Sequence, residues 1–142
     1  MKGLFILGAL LAAACDSNLT TPVATVDTPF WLHYGEHRRL AADEVTIGFL
    51  QVLGDSRCPR KYRCTIPGSA DIRLSLSSRK FGSKSVTVAI PGYVAQADTC
   101  CHLPIATLGY EITLLQLDPW RAASETIQPS DYKALLQITR TP

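Results

Sequence analysis

Four stretches of this 142-residue chain place apolar side chains at every second position. Val45, Ile47 and Phe49 alternate with Thr46 and Gly48; Ile72, Leu74 and Leu76 alternate with Arg73 and Ser75. Val86, Val88 and Ile90 alternate with Thr87 and Ala89, and Tyr132, Ala134, Leu136 and Ile138 alternate with Lys133, Gln137 and Thr139, with Leu135 breaking the polar side. A period of two sends successive side chains to opposite faces of a pleated strand, so each stretch offers one face to a core and one to water. Phe30 to Tyr34 and Tyr110 to Leu117 read as further strands, the latter central because Leu114 and Leu115 are apolar on both faces; Arg38 to Ala42 adds a short one. No segment sustains a helical period. Turn signals such as Gly82-Ser83, Pro91-Gly92, Pro119-Trp120 and Pro129-Ser130-Asp131 punctuate the strands. The pattern predicts one all-β domain over residues 30–142, an antiparallel, Ig-like β-sandwich of about seven strands. The length suffices for one core and not for two.

Between the first two alternating stretches lies Asp55 to Ala70, which holds Cys58, Cys64, two prolines, Gly68, Tyr62 and the basic residues Arg57, Arg60, Lys61 and Arg63. Loops of this length inside a small domain are functional or disordered, and one that carries its own pair of cysteines reads as ordered. Asp55 and Ser56 suit hydrogen bonds to local backbone amides, and Gly68 suits a conformation closed to other residues.

The N-terminus decides what the cysteines can be. Met1-Lys2-Gly3 is a short positive start, Leu4 to Leu11 is an apolar run too short to span a bilayer, and Ala12-Ala13-Ala14 precede Cys15. Residues 1–14 read as an export signal, and a cysteine directly after it resembles the lipidation site of bacterial lipoproteins, although Leu11 stands one place earlier than the usual leucine. Cleavage after Ala14 without lipid is the alternative. Five cysteines in an exported chain leave one unpaired; lipid on Cys15 leaves four, Cys58, Cys64, Cys100 and Cys101, available for disulfides. Three connectivities are open, and an adjacent Cys100–Cys101 link would close a strained ring. Residues 15–29, threonine-rich and without a burial pattern, read as a flexible tether.

The run Asp55-Ser56-Arg57-Cys58-Pro59, then Cys64, Gly68 and Ala70, resembles a family of small bacterial extracytoplasmic lipoproteins with no established activity. Gly109-Tyr110, Leu117-Asp118-Pro119 and Tyr132 match its C-terminal half, while Ile66 and Pro67 stand where the family commonly has an aromatic and a small residue. The resemblance implies a β-sandwich in the cell envelope, on the periplasmic or surface side.

A formal net charge of +2 and no reading motif argue against a nucleic-acid partner. No nucleophile elbow, phosphate loop or zinc-protease motif is present, so no catalytic activity and no cofactor are expected. The expected function is that of a monomeric lipid-anchored envelope module. Its loop residues Arg57, Arg60, Lys61, Tyr62 and Arg63 would meet an anionic envelope component or protein. The alternative is a copper- or zinc-handling or thiol-redox protein built on Cys58, Cys64, Cys100, Cys101 and His102, with His33 and His37 as a further pair.

Overall fold

The alternating stretches form strands because each can bury one face against the other's. The computed structural model of the chain describes residues 21–41, 43–92, 101–122 and 126–142. Among these described residues nine strands occur in order: β1 Val23–Ala24, β2 Phe30–His33, β3 His37–Leu40, β4 Val45–Asp55, β5 Ser69–Ser78, β6 Gly82–Pro91, β7 Ile105–Thr107, β8 Tyr110–Asp118 and β9 Lys133–Arg140. A 3-10 turn, Pro129–Asp131, launches β9. Among the described residues no helix is long and apolar enough to cross a membrane.

Two sheets pack face to face. One has the order β1-β3-β4-β5-β6 and the other β2-β9-β8-β7. The expected sandwich is therefore present, with two more strands than the sequence pattern announces. The short β1 and β7 were not readable from alternation. Successive strands β3 to β6 run as a meander, where an immunoglobulin order would interleave them. The pairing is antiparallel except for β1, which lies parallel to β3.

That exception corrects the tether. Ala24 is 3% exposed and belongs to the core, and Arg39 N donates to Pro22 O at 2.9 Å. Residues 22–29 are thus part of the packed domain, which begins before Phe30. The sequence disguised them because two paired residues are too few to show a period.

The core is the inner face of both sheets. Ile47, Phe49, Ile72, Leu74, Leu76 and Ile90 from one sheet meet Leu32, Ile112, Leu114, Leu117, Leu136 and Ile138 from the other. Each such side chain contributes about 1.5–3 kcal/mol on burial. Three bulges reset the alternation, at Leu50 and Leu53 in β4 and at Leu115 in β8. The extra residue in β8 lets Leu114 and Leu117 both point inward, which explains why β8 reads as apolar on both faces. In β4 the bulges leave Leu50 and Leu53 each 41% exposed as the strand twists toward the loop.

Candidate functional site

The loop after β4 returns to the sandwich at both of its ends. Ser56 N donates to Ser69 O at 2.8 Å and Cys58 N to Pro67 O at 2.9 Å, so the two arms continue the β4–β5 ladder as an irregular ribbon. Gly68 has φ +70°, and a Cβ there would sit 1.9 Å from Ser56 O. Only glycine lets the arms approach this closely. Ser56 Oγ both donates to Ser69 O and accepts from Ser69 N at 3.1 Å, bridging the arms where the sequence suggested a local turn.

Two clamps hold the loop. The first is the Cys58–Cys64 disulfide, with a Cα–Cα distance of 5.9 Å. Closing so short a segment removes denatured-state entropy equivalent to about 2 kcal/mol. The second is Arg57. Its guanidinium is fully buried and makes four hydrogen bonds: Nε to Asp55 Oδ1 at 2.8 Å, Nη2 to Asp55 Oδ2 at 2.7 Å, Nη1 to Leu117 O at 2.7 Å and Nη2 to Pro119 O at 3.2 Å. The forked carboxylate pairing is the geometry arginine is built for, and the two carbonyls satisfy donors that burial would otherwise strand.

Trp120 covers this hub. Its ring centroid lies 4.6 Å from the Arg57 guanidinium carbon, and its Nε1 donates to Cys58 O at 2.9 Å. The ring therefore seals the charge from water while pinning the loop backbone. The Asp118-Pro119 peptide bond at the end of β8 is cis, and the Pro119 carbonyl accepts from Arg57. Tyr132 completes the cluster by donating from its hydroxyl to Asp55 Oδ2 at 3.1 Å.

Two pKa shifts follow from this packing. Burial alone would raise Asp55, but the hydrogen bonds and charge of Arg57 outweigh it and hold the carboxyl below its ordinary value. The Tyr132 phenol is pushed up to about 12, by burial first and by the Asp55 charge second.

Arg57 was expected on the binding surface, and this is corrected: it is 0% exposed and takes no part in that surface. Arg60, Lys61, Tyr62 and Arg63 are exposed as expected, with Tyr62 at 57% and the unforeseen Ile66 at 76%. Lys61 sits at φ +72° inside the turn closed by Tyr62 N donating to Pro59 O at 3.2 Å. Arg60 N donates to Arg121 O at 3.2 Å, tying the loop to the segment after β8. Arg60 and Trp120 line a shallow cleft of about 530 Å³ with Asp118, Pro119, Asp131 and Lys133.

Of the remaining cysteines, Cys101 alone lies among the described residues. Cys15 and Cys100 lie outside the described residues. Cys101 is exposed and carries a free thiol, which corrects its placement in a disulfide. An ordinary Cα spacing makes Cys58–Cys64 easy to close, whereas a link between neighbouring cysteines requires a strained ring. The disulfide also removes two thiolates from the alternative metal set. His102 is 5% exposed and donates from Nδ1 to Leu114 O at 2.9 Å, packed onto β8. His33 and His37 are exposed at the β2–β3 turn, with the His37 ring over Gly48, where a Cβ would lie 2.4 Å from it. Among the described residues no three His, Cys, Asp or Glu side chains are grouped to hold a metal ion.

The hub of Asp55, Arg57, Trp120 and Tyr132 was missed by sequence reasoning. The Asp-x-Arg spacing at a strand end, with a tyrosine just before the last strand, was the available signal. Compared with protein-family models, curated proteins and solved structures, the chain matches none of them.

Proposed function

We propose that this protein is an exported bacterial lipoprotein, acylated on Cys15 after removal of residues 1–14, and that its β-sandwich works as a non-catalytic binding module. The binding element is the clamped loop, which would present Arg60, Lys61, Tyr62 and Arg63 to an anionic component of the envelope. The observation that carries this reading is the combination of two clamps with a one-sided charge. From Ser56 to Ala70 there is no acidic residue, and the buried Arg57 is already neutralised by Asp55. The exposed cations are therefore uncompensated within the loop.

A loop held by a disulfide and a buried ion pair loses little entropy on binding, so its contacts convert to affinity more fully than those of a free loop. The resemblance to envelope lipoproteins and the export-type N-terminus support the same placement. Two measurements test the reading. Intact mass of the envelope-expressed chain should match a product that starts at Cys15 and bears diacylglyceryl. Retention on isolated envelope material should fall when Arg60, Lys61 and Arg63 are all changed to Ser; unchanged retention would remove the loop from the binding role.

A further inference from the structure

The geometry points to one partner for this loop: we infer that it docks on the anionic headgroup surface of the bilayer that holds the protein's own lipid anchor. The inference rests on the anchor and binding-loop reading above and names its partner.

Chain direction is the first observation. Val23 and Ala24 pair in parallel with Arg39 and Leu40 of β3, and β3 pairs antiparallel with β4, Arg39 opposite Thr46. The β1 strand therefore runs opposite to β4. Since β4 ends at Asp55, where the loop begins, the N-terminal end of β1 points toward the loop end of the sandwich. Cys15 lies eight residues before Val23. Fully extended, that segment reaches about 27 Å. Strand β4 takes roughly 30 Å to run from Thr46, level with the partner of Val23, to Asp55. A bilayer holding Cys15 can thus lie no farther out than about the plane of the loop. With residues 22–29 packed into the domain and the loop end facing the bilayer, the tether is too short to hold the loop clear of the surface, and the charge of the loop selects that orientation.

The second observation is what the loop presents there. Ile66 and Tyr62 are among the most exposed large apolar side chains of the described residues, and Arg60, Lys61 and Arg63 flank Tyr62. Apolar tips ringed by cations suit a headgroup boundary, where the cations meet lipid phosphates and the aliphatic and aromatic groups enter the interface. Each basic residue near an anionic surface strengthens association about fivefold, so three contribute on the order of 100-fold. One lipid anchor plus one basic patch fixes orientation as well as attachment, holding the opposite end of the sandwich outward.

Hydroxyl-radical labelling tests this on the mature lipidated chain, reconstituted in phosphatidylcholine vesicles with and without phosphatidylglycerol. Labelling of Tyr62 and Ile66 should drop several-fold in the anionic vesicles, while Phe81 at the far end stays unchanged. Changing Arg60, Lys61 and Arg63 together to Ser should restore the labelling, and Ile66→Ser, at an exposed position, should restore part of the Tyr62 labelling without touching the fold. Equal labelling of Tyr62 in both vesicle types would overturn membrane docking. If protection then arises only when a soluble acidic polysaccharide such as polygalacturonate is added, the binding-module reading stands with a glycan as its partner. If neither surface protects the loop, both readings fall.

Discussion

The two ends of β4 carry the same three side chains in different surroundings. At the loop end, Asp55 accepts hydrogen bonds from Arg57 and Tyr132; at the other end, Asp43 accepts from Arg140 at 2.9 Å and from the Tyr110 hydroxyl. Both clusters join one sheet to the other. The difference is water. The side chains of Arg57 and Asp55 are 0% and 6% exposed, those of Arg140 and Asp43 54% and 33%. An exposed pair is screened and gains little, whereas a buried one must be complete or it becomes a liability. One arrangement of groups therefore gives a structural hub at the loop and a surface contact at the far end.

The comparison is broken most directly at its strongest point. Arg57→Ala leaves the Asp55 carboxylate buried without its partner and should cost about 3–5 kcal/mol in urea unfolding. Arg140→Ala should cost far less in the same assay, because solvent screens the exposed pair. Equal losses would mean that burial does not separate the two clusters. A sharper version changes both buried partners: Asp55→Asn with Arg57→Met should lose less than Arg57→Ala alone, because no unpaired charge remains.

Next in size is the covalent clamp. Cys58→Ser with Cys64→Ser should lower stability by about 2 kcal/mol and increase amide exchange in the loop, with β8 and β9 unaffected. If the loop stays as protected as before, Arg57 and Trp120 hold it without the disulfide.

The pH dependence is the finest test. Asp55 is depressed in the folded state, so its contribution is complete above the ordinary aspartate range near 3.9 and is lost as pH falls through its lower folded value. Asp55→Asn should flatten the acid limb of the stability curve. Both phenols shift the other way. Tyr132 and Tyr110 are each pushed up to about 12, so their contribution is complete below about pH 10 and declines as pH rises toward the folded values. Tyr132→Phe and Tyr110→Phe should each reduce that alkaline loss, read by circular dichroism along a base titration.

Much of the fold was legible because its signal is local. Alternation placed β4, β5, β6 and β9 correctly, since each has enough residues to show a period and a single buried face. The strands it missed, Val23–Ala24 and Ile105–Thr107, are too short to carry one. The bulge at Leu115 shows in the sequence as a break in alternation, which by itself reads as two apolar faces. The candidate site divides in the same way. Gly68, Pro59 and the cysteine pair marked an ordered loop, because turn chemistry is written into neighbouring residues. The grouping of Arg57 with Arg60, Lys61 and Arg63 failed, because charge says nothing about burial and the partners of Arg57 stand some 60 residues away at Leu117 and Pro119.

By itself the sequence determined that the chain is a β-sandwich with a cross-linkable basic loop between two core strands. Those properties depend on side-chain period and turn residues, which act over a few positions. Only the tertiary structure decided which of the four loop cations is a clamp and which three face outward. It also showed that the N-terminal end of β1 points toward the loop. Both outcomes depend on what the opposite sheet brings within hydrogen-bonding distance, and chain segments far apart in sequence meet only when the two sheets close on a common core.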